Sequence, residues 1–310
     1  MVQQQASSGN SIMHDVVVYL SSLPRIADRN RKVQVLEAFV EGARSQGLNV
    51  LAQTLPHVVP ARLAVILGWV GAKIKGPHIQ LRRDVIDHQA AQAHEVMSVD
   101  GSCFKFADPG SVFLRYSLGG VYYNTNNYAN RSSDGAKWSE ISSTLGIQCR
   151  PWRQQGNHVL ICLQRDGGWS MKGQDLTAWA VDTVRRLKKH TDRPIMIRPH
   201  PKNPIDSAMF REFKGVSLST NTSLAQDLQG AWASVFYNSS SSVASVLAGV
   251  PGFVTDTDCV AWSVANHDLA LIETPLMPDT QQWLWDLSAA HWTDKDSRCG
   301  AIVKKFQQYF

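Results

Sequence analysis

Residues 164–173 combine a pair of glycines with two cations, and together these have the chemistry of a phosphate-binding loop. Gly167 and Gly168 leave room for the backbone to approach a ligand, while Arg165 and Lys172 can neutralise a bound anion. The helix predicted to follow would direct its N-terminal amides to the same place. The run is not a Walker loop and lacks the GxGxxG spacing, so kinase and dehydrogenase functions are disfavoured.

Two further polar segments contain residue types that suit a diphosphate. In residues 198–201, Arg-Pro-His-Pro, the prolines fix the backbone direction, and the guanidinium and imidazole can meet the charge that develops on a leaving diphosphate. Four serines, 239–242, follow Asn238. One serine is enough to cap a helix, whereas several hydroxyls with backbone amides form an anion-binding nest. Further along, Asp256, Thr257 and Asp258 form a polar strand end that either holds the hydroxyls of a sugar or caps the next helix.

Apolar patterns of two kinds predict the elements that position these residues. Buried-strand patterns occur at residues 16–20, 48–51, 63–67, 94–99, 159–163, 194–197, 216–218, 232–237 and 252–255. Helical spacings occur at residues 31–46, 81–93, 176–189, 224–229, 242–248, 281–290 and 300–310. This alternation is typical of the α/β class, and it predicts two Rossmann-like doubly wound domains, residues 1–150 and 151–310, with a cleft between them. Residues 110–150 lack periodicity, and we expect them to be irregular.

Composition excludes several classes of protein. The 310 residues are 44% hydrophobic and 18% charged, which is typical of a globular chain with a sizeable core. No apolar run reaches the roughly 18 residues that span a bilayer, and the polar start does not resemble a signal peptide. Five scattered cysteines without a CxxC argue against a zinc site and favour the reducing cytoplasm. Residues 1–150 have 15 Lys and Arg against 11 Asp and Glu, which is compatible with an anionic partner.

The polar segments also resemble a known family. Residues 162–173, 198–201, 239–242 and 250–256 resemble a GT-B sugar-transferase family carried by tailed phages, and the ending 282–292 fits as well. The His-Pro and serine segments are similar to donor-site motifs of bacterial sialyl- and capsule-sugar transferases, where they hold the phosphate of a nucleotide sugar. The resemblance places that role on His200, Ser239, Ser240 and Ser241, with Arg165 and Arg198 as added cations. It also implies that the final residues, 304–310, cross back onto the first domain.

Combined with the residue chemistry above, this resemblance defines a predicted donor site. Its members are Gln164, Arg165, Gly167, Gly168, Lys172, Arg198, His200, Asn238, Ser239, Ser240, Ser241 and Asp256. An inverting transferase of this fold also needs a base that faces the acceptor hydroxyl. Asp100, at the end of a predicted strand, is the first candidate. Asp108 is the alternative, although its Asp-Pro-Gly context is equally typical of a turn.

Aromatic and cationic residues of the first half are candidates for the acceptor site. Aromatic rings at such positions either stack on a base or sugar or pack in the core, and the cations would contact phosphates of DNA. The predicted acceptor site comprises Trp69, Lys73, Lys75, Arg115, Tyr116 and Tyr128. If the acceptor is duplex DNA, the target nucleotide must leave the base stack to reach the cleft.

The resemblance implies a metal-independent, inverting glycosyltransferase that needs no cofactor. It would move a sugar of the glucose or arabinose class from a UDP-linked donor to a hydroxymethylated pyrimidine, 5-hydroxymethylcytosine, in phage DNA. The product would shield that DNA from nucleases of the host, so we expect the protein in the host-cell cytoplasm, without membrane association. Three alternatives stay open: a polysaccharide or lipid-linked acceptor, a sugar-nucleotide epimerase of the same fold, and a catalytically silent binding module.

Overall fold

The computed structural model describes residues 13–23, 29–70, 75–121 and 132–309, which form two α/β units. The elements of the first unit are β1 (His14–Tyr19), α1 (Arg29–Ser45), β2 (Val50–Gln53), β3 (Ala61–Leu67), α2 (Pro77–Ala91), β4 (Glu95–Gly101), β5 (Leu114–Leu118) and α3 (Ala136–Leu145). Its six-stranded sheet has the order β11-β5-β4-β3-β1-β2, in which β11 (His291–Trp292) comes from the end of the chain. Strands β1 to β4 are parallel, whereas β5 and β11 are antiparallel to their neighbours.

The second unit surrounds an entirely parallel sheet. Its elements are β6 (His158–Cys162), α4 (Leu176–Leu187), β7 (Ile195–Arg198), β8 (Val216–Leu218), α5 (Leu224–Leu228), β9 (Ala231–Phe236), α6 (Ser241–Leu247), β10 (Gly252–Val254) and α7 (Gln281–Ser288). The strand order is β10-β9-β6-β7-β8. Both units are therefore Rossmann-like, which confirms the predicted fold class.

Local sequence accounts for most of these elements. Residues 16–18 are three consecutive buried valines, the pattern of a strand covered on both faces. Helix α4 begins where the side chain of Asp175 accepts a hydrogen bond from the Ala178 amide, at 2.9 Å. Its buried face repeats Leu176, Ala180, Val184 and Leu187 at helical spacing, so the helix packs against the second sheet.

Residues 110–150 differ from the sequence-based expectation, because they contain β5 and α3 rather than irregular structure. Strand β5 pairs with β4 in register, with Asp100 opposite Arg115 and Val99 opposite Tyr116. Its other neighbour is β11, which lies far along the chain, and the sequence of β5 has no clear alternation of polar and apolar residues. The predicted boundary at residue 150 remains a proposal.

The last part of the chain returns to the first unit earlier than residues 304–310. The crossing begins at His291 in β11, and α8 (Asp294–Arg298) and α9 (Ala301–Phe306) continue it. Ile302, Val303 and Phe306 are buried in the same core as the apolar face of α1. A Cβ at Gly42 of α1 would overlap the carbonyl oxygen of Ser297, so glycine allows α8 to approach this closely.

Candidate active site

A cavity of about 290 Å³ lies between the two units, where the carboxyl ends of both sheets meet. The first unit contributes Asp100, Gly101, Ser102, Cys103, Lys105 and Arg115. The second unit contributes Ser170, Asn238, Ser240, Asp258 and Val260. We call this cavity the interlobe cleft. The structure thus brings Asp100 and Arg115 from one half of the chain to Asn238 and Ser240 from the other.

Asp100 is held at the edge of the first sheet by its strand neighbour. Its Oδ2 accepts a hydrogen bond from Nη2 of Arg115 at 3.3 Å, and its Oδ1 accepts from the Gly101 amide at 2.7 Å. The Asp100 side chain is 27% exposed and that of Arg115 only 6%, so the carboxylate reaches the cleft while its partner lies behind it. Burial lowers the pKa of the nearby Arg82 to about 10, although the charge of Asp100 acts in the opposite direction.

The crossing segment fixes the loop that continues this wall. The ring of His291 is fully buried: Nδ1 donates to the Leu287 carbonyl at 2.9 Å, and Nε2 accepts from the Cys103 amide at 3.0 Å. Burial lowers the pKa of His291 to about 3, so the ring is neutral with one donor and one acceptor. The position of Cys103 in the cleft therefore depends on a residue near the end of the chain.

An amide network orders the opposite wall. Nε2 of Gln164 donates to Oδ1 of Asn238 at 2.9 Å and to Oγ of Ser170 at 3.0 Å. In return, Nδ2 of Asn238 donates to the Ser170 carbonyl at 2.8 Å. Gln164 and Asn238 are buried, so the bonds between them hold residues 164–173 against the end of β9. Gly167 has a φ of +66° in this loop, and Gly168 lies beside it.

Lys172 lies among carboxylates and not, as predicted, among groups that would bind phosphate. Its Nζ is 3.0 and 3.1 Å from the two carboxylate oxygens of Asp256, and it forms an ion pair with Asp258. Burial alone would lower the pKa of Lys172, but the hydrogen bonds to Asp258 and Asp256 outweigh that effect and raise it. Lys172 is therefore protonated, and it links residues 164–173 to the carboxylates that follow β10.

His200 and Arg198 line a second hollow of about 460 Å³, beyond the ends of β7 and β8. Arg198 does not have a free guanidinium, because it pairs with the fully buried Asp227, which also accepts from Nδ2 of Asn221 at 2.7 Å. Nδ1 of His200 accepts from the Lys202 amide at 3.1 Å. Burial, with the charges of Arg165 and Lys202, lowers the pKa of His200, so the ring is neutral and Nε2 carries the proton.

Four of the predicted donor residues line two separate hollows: Arg198 and His200 line the second hollow, and Asn238 and Ser240 line the interlobe cleft. Residues 164–173 run between them, and the Asp166 amide is 3.3 Å from Oδ1 of Asn203 in the His200 turn. Ser240 is exposed to the interlobe cleft, while Oγ of Ser239 accepts from the Ser241 amide at 3.2 Å and shapes the turn before α6. Ser240 is thus the serine of this run that lines the cleft.

Three predicted residues have structural tasks instead. Both carboxylate oxygens of Asp108 accept backbone amides, those of Val112 at 2.8 Å and Phe113 at 2.9 Å, and the residue is 1% exposed, so it is not the base. Tyr116 is fully buried, where it stacks on a core phenylalanine and burial raises its pKa. Trp69 packs partly buried against the other face of the first sheet.

Of the remaining acceptor candidates, one lies on the surface and two lie outside the described residues. Lys75 is exposed, and it is absent from the lining of the interlobe cleft. Lys73 and Tyr128 lie outside the described residues. Sequence reasoning missed Ser102, Lys105 and Ser170 in the cleft, although Ser102 directly follows β4, the strand whose end gave Asp100 as a candidate.

Comparison with known proteins identifies the architecture. No family model and no curated protein matches the chain. Among solved structures, KpsC of Thermosulfurimonas dismutans, a beta Kdo 2,7 transferase, aligns with a TM-score of 0.55 at 12% identity, over 94% of this chain and 99% of that one. A second KpsC structure, a beta Kdo 2,4 transferase, aligns with a TM-score of 0.52 at 12% identity, over 89% and 90%. The chain has the GT-B fold.

In GT-B terms, the interlobe cleft is the space between the two Rossmann-like units. Among the described residues, no helix combines the length and apolar character needed to cross a bilayer. In the same part of the chain, no group of three His, Cys, Asp or Glu is arranged to hold a metal ion.

Proposed function

We propose that this GT-B protein is a glycosyltransferase that uses a nucleotide sugar. The observation that carries the proposal is the interlobe cleft, where the carboxylate of Asp100 faces Asn238, Ser240 and Asp258 across the carboxyl edges of two sheets. One wall thus has a group that can take a proton, and the other has groups that can bind a polar donor. The likeness to two transferase structures agrees with this assignment in fold alone.

The donor would extend along the edge of the second sheet. Its nucleotide occupies the hollow beside His200, whose Nε2–H donates to the diphosphate, and the exposed Arg165 nearby adds positive charge. The sugar enters the interlobe cleft past Ser240. We propose UDP as the nucleotide and a sugar of the glucose or arabinose class.

In the transfer step, Asp100 removes the proton of an acceptor hydroxyl as the hydroxyl oxygen attacks the anomeric carbon of the sugar. The bond from that carbon to the diphosphate oxygen breaks, and the diphosphate leaves with the electron pair. Arg115 positions Asp100 through the ion pair across β4 and β5. Hydrogen bonds from His200 strengthen as charge develops on the leaving group. Attack opposite the leaving group inverts the configuration.

For the acceptor, we propose a hydroxymethylated pyrimidine in DNA. The excess of 15 basic over 11 acidic residues in residues 1–150 supports an anionic partner. The second candidate function is the transfer of Kdo, because the two similar structures are both Kdo transferases. The two candidates differ in the charge of the sugar, because Kdo has a carboxylate that glucose and arabinose lack.

The test combines purified protein, a panel of nucleotide sugars, and DNA with and without 5-hydroxymethylcytosine, with mass spectrometry of both reaction products. We expect a mass gain on hydroxymethylated DNA only. Asp100→Asn should lower the transfer rate by about 10²–10⁴-fold with donor binding retained. Asp87→Asn, which removes an exposed carboxylate of α2, should have the normal rate.

Each alternative has its own outcome in this experiment. Turnover of a nucleotide sugar without any acceptor would indicate an epimerase, and transfer to polysaccharide or lipid but not to DNA would replace the acceptor. Full activity of Asp100→Asn would remove Asp100 from the mechanism. No turnover with any donor would refute the transferase proposal.

A further inference from the structure

Asp258 is a buried carboxylate that opens on the interlobe cleft. It is 7% exposed and lines the cavity on the side of the second unit. Its amide donates to Oδ1 of Asp256 at 2.9 Å, and its Oδ2 pairs with Lys172. A carboxylate can accept several hydrogen bonds at its two oxygens, so Asp258 keeps capacity for a hydroxyl donor in the cleft that it lines.

Asp256, by contrast, supports Asp258 and has its own oxygens occupied. Its Oδ1 accepts from the Asp258 amide, from Nζ of Lys172 and, at 3.4 Å, from Nδ2 of Asn238, while its Oδ2 accepts from Lys172. It is also absent from the lining of the cleft. Of the polar residues predicted to hold a sugar at the end of β10, Asp258 is therefore the one that lines the cleft, with Asp256 and Lys172 as positioning residues.

Charge at this wall favours hydroxyls over carboxylates. Asp256 and Asp258 carry two negative charges against the single positive charge of Lys172, and the side chains of both acids are at most 12% exposed. On the facing wall, Arg115 pairs with Asp100. Lys105 faces the cleft from the first unit, but its ammonium donates to three oxygens of its own loop, including Oγ of Ser111 at 2.6 Å.

We propose that Asp258 accepts a hydrogen bond from a hydroxyl of a neutral donor sugar and excludes donors whose transferred sugar has a carboxylate. This inference rests on the proposed function, because it assumes that the sugar of a nucleotide donor enters the interlobe cleft. A hydroxyl donates to Asp258, whereas a carboxylate in the same place adds a like charge to a wall with low exposure. Selection by charge separates the glucose or arabinose class from Kdo.

The matched ligands for a test are UDP-glucose and UDP-glucuronate. UDP-glucose has a hydroxymethyl group where UDP-glucuronate has a carboxylate. UDP, which has no sugar, is the control ligand. Calorimetric titration of the wild-type protein should give a preference for UDP-glucose of about 100-fold, as expected for a like-charge contact. In Asp258→Asn the preference should fall to within a few-fold, with UDP affinity unchanged. Asp192→Asn, which removes an exposed carboxylate after α4, should keep the wild-type preference.

The outcomes separate the inference from the function on which it rests. Similar affinities of the wild-type protein for the two sugars, or an unchanged preference in Asp258→Asn, would overturn the role of Asp258 while UDP binding still supports a transferase. Binding of nucleotide-activated Kdo more tightly than of UDP-glucose would also overturn it. If Asp258→Asn also loses UDP binding, the variant gives no information, and the relative affinity of the wild-type protein for UDP-glucose and UDP-glucuronate decides whether the inference holds. Failure of UDP and both sugars to bind the wild-type protein would contradict the proposed donor itself.

Discussion

Acid should destabilise this protein through His291, and the effect can be isolated by one substitution. The ring is fully buried and neutral, with Nδ1 donating to the Leu287 carbonyl and Nε2 accepting from the Cys103 amide. A proton on Nε2 would place a donor against a donor and a charge in the core. His291→Gln removes the titration and keeps an amide that can donate and accept.

The size of the effect follows from the pKa of His291, which burial lowers from 6.5 to about 3. Between those values the unfolded chain binds a proton that the folded protein does not, so the free energy of unfolding falls as the pH falls. The loss is about 1.4 kcal/mol per pH unit, or about 2 kcal/mol between pH 6.5 and 5. The contribution is present in full above pH 6.5, and no further loss is expected below pH 3.

Urea unfolding followed by fluorescence of the ten tryptophans, at pH 7.5, 6.5, 5.5 and 5, measures this dependence. His291→Gln can lower the free energy of unfolding at pH 7.5 by any amount without affecting this test. Between pH 6.5 and 5, the variant should lose about 2 kcal/mol less of that free energy than the wild-type protein loses. His190→Gln, which replaces an exposed histidine, should follow the wild-type curve. Parallel curves for His291→Gln and the wild-type protein would refute the reasoning.

Two further predictions concern stability, each measured by urea denaturation. Gly249→Ala should destabilise the protein by more than about 3 kcal/mol, because φ is +69° and a Cβ would overlap the Pro151 carbonyl. Gly47→Ala, at a φ of +77° with no atom within 4 Å, should lose only about 1–2 kcal/mol, and equal losses would contradict the overlap. Asp108→Ala should lose about 1–3 kcal/mol by leaving two amides without an acceptor, and an unchanged stability would contradict that role.

The sequence predicts the buried parallel strands well because their signal is local. A strand such as β1, with apolar residues on both faces, needs no knowledge of its partners. Strand β5 is not predicted from its sequence, because the buried polar residues Arg115 and Ser117 flank Tyr116 and hide the apolar pattern of a buried strand. Its partner β11 has two residues and lies far along the chain, so only the folded sheet reveals the pair.

The rule that ligands bind at the carboxyl ends of parallel strands selects residues at those ends, but it does not say which of them line the same cavity. Asp100 and Ser240 do meet in one cavity, whereas His200 lines another. The assignments of Arg115 and Tyr116 to one acceptor site were incompatible, since successive strand residues point to opposite faces. A sequence that predicts irregular structure over residues 110–150 does not show this conflict. Nothing local to Arg198 indicates that Asp227, 29 residues later, would neutralise it.

The wall that presents Asp100 is assembled from three segments, one of which lies far along the chain, and this explains why local sequence does not predict its geometry. Register places Asp100 of β4 opposite Arg115 of β5, and Arg115 opposite His291 of β11. The same His291 binds the Cys103 amide in the loop that follows β4. Strand pairing and this hydrogen bond therefore connect β11 both to Arg115, the partner of Asp100, and to the loop after Asp100. The orientation of Asp100 thus depends on the segment that crosses back from the second unit. A change in that crossing segment is therefore expected to alter the orientation of Asp100.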